Sequence, residues 1–66
     1  MTAAQALAML RRFARREKLT IPEAVCLVGL SRELPRKWAR TPRSRLHAGT
    51  ERMLRDAAMA RRRGAQ

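Results

Sequence analysis

Arg32 and Arg36 stand four residues apart in the segment Ser31-Arg32-Glu33-Leu34-Pro35-Arg36-Lys37-Trp38. If that segment is helical, both side chains share one face. The guanidinium is a planar fork of donors that meets guanine O6 and N7 bidentately, and each such pair gives about 1–3 kcal/mol of discrimination between bases. Lys37, Arg40, Arg43 and Arg45 follow at the end of that helix and in the next connector, where contacts to phosphate oxygens would set register without reading sequence. The whole chain shares this bias: 66 residues carry 16 Lys and Arg against 5 Asp and Glu, a net charge of +11. So large an excess points to a polyanionic partner.

Other chemistries find little to work with. Cys26 and His47 are the only cysteine and histidine, too few for a three- or four-ligand zinc site or an internal disulfide. Catalysis by that pair would need a third orienting group and a cleft, and a chain this short buries only about 60% of the surface its unfolded form exposes. No enzyme activity, cofactor or metal is expected. The apolar run from Ala3 to Leu10 is broken by Gln5 and ends at Arg11-Arg12, which fits neither a signal peptide nor a membrane span. The expected location is a reducing cytoplasm, in association with the nucleoid.

Positioning falls to helices. The 45% hydrophobic content comes mostly from Ala, Leu and Met, with Phe13 and Trp38 the only aromatics, a composition that fits a compact all-α domain. Thr2 with Gln5 makes a capping box, and Ala3, Ala6, Leu7, Leu10, Phe13 and Ala14 form the apolar stripe of a first helix. Arg11, Arg12, Arg15 and Arg16 fall on its flanks and opposite side. Thr20-Ile21-Pro22-Glu23 repeats the capping logic for a second helix with Ile21, Ala24, Val25 and Val28 inward. Gly29 supplies a left-handed stop, and Leu30 a buried plug.

The third helix has two possible starts. Ser31 can cap it, with Leu34 and Trp38 inward, or Pro35 can push its beginning later. Thr41-Pro42 reads as a helix stop or a new cap, and Arg43-Ser44-Arg45 as a basic connector. Leu46, Met53, Leu54 and Ala57 mark a last helix, entered at Leu46 or after Gly49 with Thr50 as its cap. Residues 61–66 should form a frayed basic tail.

The chain resembles the helix-turn-helix domains of the Cro and phage-repressor (XRE) type. The resemblance rests on Leu10-Arg11-Arg12, Leu19-Thr20, Glu23-Ala24-Val25, Val28-Gly29-Leu30-Ser31-Arg32, and Trp38 with Arg40, and covers roughly Leu7 to Ala57. Val25 replaces the family's small alanine before the turn, Pro35 replaces an aliphatic core residue, and the stretch after Trp38 is shorter before its proline. The resemblance implies that Ser31, Arg32, Glu33, Arg36 and Lys37 face the bases of a major groove, and that Thr20 and Ile21 face phosphate.

The remaining residues have blander readings. Trp38 and Phe13 are expected in the core rather than as base-stacking platforms. Cys26 and Leu27 lie off the main stripe of the second helix and are expected to bury against the first or last helix. Met53, Met59 and Ala60 offer a seam for a homodimer. The resulting expectation is one domain over 1–66, with four or five helices, whose 21–40 unit binds duplex DNA as a small transcriptional regulator. The rivals are a nonspecific nucleoid-associated or RNA-binding protein, and an adaptor or antitoxin-like module whose arginines grip an acidic protein through a Leu27 or Met59 anchor.

Overall fold

The two capping boxes foreseen at Thr2 and Thr20 both form, and each opens a helix. A computed structural model describes residues 1–60, in which the chain is all-helical: α1 Ala3–Glu17, α2 Ile21–Val28, α3 Leu34–Arg40 and α4 Ala48–Met59. The tail expected at 61–66 lies outside the described residues. Thr2 Oγ1 accepts from the Gln5 N–H at 3.3 Å while Gln5 Oε1 accepts from the Thr2 N–H at 2.9 Å. Thr20 and Glu23 repeat the reciprocal pair at 3.3 and 2.8 Å, with Pro22 in the first turn where its missing N–H costs nothing.

α1 and α2 also end alike. Lys18 (φ 59°) and Gly29 (φ 97°) adopt the left-handed conformation. The next residue in each case donates five residues back, Leu19 to the Ala14 carbonyl at 2.8 Å and Leu30 to the Val25 carbonyl at 3.0 Å. This closure satisfies carbonyls left open at the helix end and tucks an apolar side chain under it. Leu19 and Leu30 are both half-buried, so Leu30 is a less complete plug than expected.

α1 is the central element, in contact with α2, α3 and α4. Its stripe is Ala3, Ala6, Leu10, Phe13 and Ala14, all buried, and the alanines let neighbouring backbones come close. Ala24 and Val25 from α2, Trp38 from α3 and Leu54 from α4 complete the core. Trp38 and Phe13 are therefore core residues, as their composition argument required.

One alternative is decided and two expectations need correction. Of the two starts open to α3 the later one holds, so Ser31 is not its cap: the helix begins at Leu34, with Glu33 at the cap position making no side-chain bond and Pro35 in the first turn. α4 begins at Ala48 behind His47, neither at Leu46 nor after Gly49. Cys26 is exposed and Leu27 is 66% exposed, because α2 packs through the stripe of Ile21, Ala24, Val25 and Val28, off which both residues lie.

Candidate nucleic-acid interface

The connection from α2 to α3 begins at the left-handed Gly29 and passes through a turn in which the Leu34 N–H donates to the Ser31 carbonyl at 3.1 Å. Ser31 Oγ accepts from the Glu33 N–H at 3.2 Å, so this hydroxyl braces the turn. Arg32 sits in the turn rather than in α3. Arg32 and Arg36 consequently do not lie on one continuous face of α3, which corrects the simple four-residue argument. Ser31, Arg32, Glu33, Arg36 and Lys37 are nevertheless all exposed.

α3 owes its position to Trp38, which is buried against α1 while Arg36, Lys37 and Arg40 remain in solvent. The helix stops as the Thr41 N–H and Oγ1 both donate to the Lys37 carbonyl, at 2.9 and 2.8 Å. Pro42 then takes the second position of a turn closed by the Ser44 N–H and the Thr41 carbonyl at 3.0 Å, where its fixed φ is already correct. Thr41-Pro42 is thus a helix stop.

The following connector does more than carry charge. Its Ser44 and Pro42 carbonyls accept the Ala3 and Ala4 N–H groups at 2.6 and 2.9 Å, and the Leu46 N–H donates to the Met1 carbonyl at 3.1 Å. With Thr2 and Arg45 bridged, the first-turn donors of α1 are satisfied by a segment some forty residues away. This fixes the backbone beneath Arg43 and Arg45, both of which are exposed. Among the described residues, Arg32, Arg36, Lys37, Arg40, Arg43 and Arg45 form no ion pair.

Thr20 is differently placed. Its N–H and its hydroxyl both donate to Glu23 Oε1, at 2.8 and 3.0 Å. These bonds hold the Glu23 carboxyl below the ordinary carboxylate value of 4.5, the backbone bond first and the hydroxyl second. A phosphate contact by Thr20 requires the hydroxyl to exchange that partner.

Arg16, Arg55 and the Met1 amino group are structural instead. Arg16 Nη1 donates to the Ala58 carbonyl at 2.8 Å, and Nη2 reaches the Ala57 and Ala60 carbonyls at 3.4 Å. Its guanidinium lies 5.3 Å from the Phe13 ring centroid and pairs with Glu17. Arg16 therefore closes the C-terminus of α4. Glu51 joins the Met1 amino group and Arg55, and the amino group, followed by Arg55, lowers its pKa. Glu51 and Arg55 are four apart on one helix, a local spacing, but no local pattern announces the Arg16 contacts with the end of α4 or the Met1–Glu51 pair, which join residues remote in sequence.

Among the described residues no group of three or more His, Cys, Asp or Glu could hold a metal ion, and no helix is long and apolar enough to cross a membrane. Comparison with protein-family models, curated proteins and solved structures finds no match for this chain.

Proposed function

We propose that this chain is a small sequence-specific regulator that binds duplex DNA through α3 and the segments flanking it. The observation that carries the reading is the surface formed by Arg32, Arg36, Lys37, Arg40, Arg43 and Arg45: exposed, without ion pairs among the described residues, and built on a backbone held by Trp38 and by the α1 cap. Uncompensated cations on a firm scaffold suit a phosphate lattice, because little side-chain pairing must be broken before docking. In this reading Arg36 and Lys37 on α3, with Ser31, Arg32 and Glu33 in the turn before it, meet base edges. Arg40, Arg43, Arg45 and Thr20 meet phosphates.

A nonspecific nucleic-acid binder is the second reading, and two features favour it. α3 has only seven residues, and the exposed Arg11, Arg12 and Arg15 extend the positive surface along α1. Leu27 and Met59, 66% and 82% exposed, fit the protein-adaptor reading, and Met59 with Met53 and Ala60, all exposed, fits a homodimer seam.

Selection of bound duplexes from a random library decides among them. Enrichment of a defined motif, palindromic if two copies bind across a two-fold axis, is the expected result. Retention of all sequences alike, or equal retention of single-stranded RNA, would overturn sequence-specific DNA binding.

A further inference from the structure

Between α3, the connector and the start of α4 lies a cleft of about 240 Å³. Its rim carries Lys37, Arg45 and His47 together with the hydroxyl residues Thr41, Ser44 and Thr50. Its floor is apolar, from Ala3, Leu34, Trp38 and Leu46, and no carboxylate residue is part of its lining. We infer that this cleft is a binding site for a phosphate group.

Two cations, an imidazole and the hydroxyls of Ser44 and Thr50 line one hollow and match the needs of a tetrahedral oxyanion, which accepts several hydrogen bonds and favours charged donors; the Thr41 hydroxyl proton is already given to the Lys37 carbonyl. The walls are set in advance. The Thr41 hydroxyl is anchored on the Lys37 carbonyl, and the connector is tied to α1 through Ser44 and Leu46, so little ordering remains to be done on binding. α4 adds a favourable field: His47 makes no side-chain cap bond, leaving first-turn N–H groups beside the side-chain cluster. The volume suits a phosphate with a small substituent rather than a large ligand.

The phosphate has two sources, a free phosphate or monoester and a backbone phosphodiester of nucleic acid. The second rests on the DNA-binding reading above, because Lys37 and Arg45 belong to both surfaces; the first does not. Trp38 is the single tryptophan and lines the cleft, so its emission reports occupancy directly.

The test titrates the 66-residue chain with inorganic phosphate at ionic strength held constant by chloride. Trp38 fluorescence and the amide resonances of residues 47–50 are followed. A saturable response is expected, weakened about tenfold or more by Lys37→Ala and by Arg45→Ala. Arg11→Ala removes the same charge from the exposed face of α1 and should leave it within about twofold. No saturable response, or an equal loss in Arg11→Ala, overturns the proposal.

A second titration uses a random-sequence duplex. Competition between duplex and phosphate for the Trp38 response identifies the backbone phosphodiester as an occupant; a phosphate response unchanged by saturating duplex identifies the free anion. Duplex binding with no response at the cleft to either probe overturns the cleft and leaves the DNA reading standing. A phosphate response without duplex binding does the reverse.

Discussion

Lys18 and Gly29 end two helices by the same backbone turn at different local cost. A left-handed conformation costs a residue with a Cβ roughly 1–2 kcal/mol, a penalty glycine escapes. At Gly29 an added Cβ would meet Met53 Cε at 3.0 Å, a contact the flexible tip of Met53 can relieve, so the backbone sets the outcome. Gly29→Ala is expected to lower stability by about 1–2 kcal/mol, and Lys18→Gly to raise it by up to about 1 kcal/mol after allowing for the freer unfolded chain. Urea denaturation of both variants checks the pair; equal and small effects would mean that φ at these positions does not matter. Gly29 was legible because glycine marks such stops. Lys18 was not, because lysine carries no such signal and Leu19 alone reveals the motif only once the helix end is known.

At the scale of elements, the starts of α1 and α2 were legible outright, that of α3 only as the later of two alternatives, the one set by Pro35, and that of α4 not at all. The first two have capping boxes whose side chains bond the backbone; the caps of α3 and α4, Glu33 and His47, make no side-chain bond. α3 begins where Pro35 can occupy its first turn, whereas α4 begins behind a cap that no local code marks. α2 is eight residues long, below the length at which an isolated helix is stable in water, so its cap has measurable weight. Because hydrogen bonds lower the Glu23 pKa in the folded chain, the charged form contributes stability above about pH 4.5, and that contribution is lost as pH falls through the folded value. The stability difference between the wild type and Glu23→Gln should therefore be present at pH 6 and shrink toward pH 3, as read by denaturation at each pH. A difference independent of pH would exclude the carboxylate as its source. The Met1 amino group and Arg55 also hold the Glu51 carboxyl below its ordinary value, and comparing the two proteins at matched pH cancels its contribution.

For the molecule as a whole, the net charge of +11 is the quantity that duplex binding must answer to. If the proposed function holds, Arg43→Ala should weaken specific and random duplexes alike and reduce the salt slope of log K by about one, whereas Arg36→Ala should mainly narrow the gap between them. Binding measured across a salt series separates the two. Equal effects of both substitutions on both duplexes would remove Arg36 from base reading. The backbone on either side of Arg43 is pinned to α1 through the Pro42 and Ser44 carbonyls, which holds this cation in place for a phosphate.

Composition, capping boxes and the apolar stripes determined an all-α chain, the start of α1, both ends of α2, the burial of Phe13 and Trp38, and a strongly cationic surface. These are local or summed properties, and a helix of period 3.6 writes them into neighbouring residues. Only the tertiary structure decided that the basic connector caps α1, that Arg16 closes α4, that Cys26 and Leu27 stay in solvent, and that Lys37, Arg45 and His47 surround one cleft. Each depends on segments distant in the chain meeting in space, and no spacing within a single helix records such a meeting.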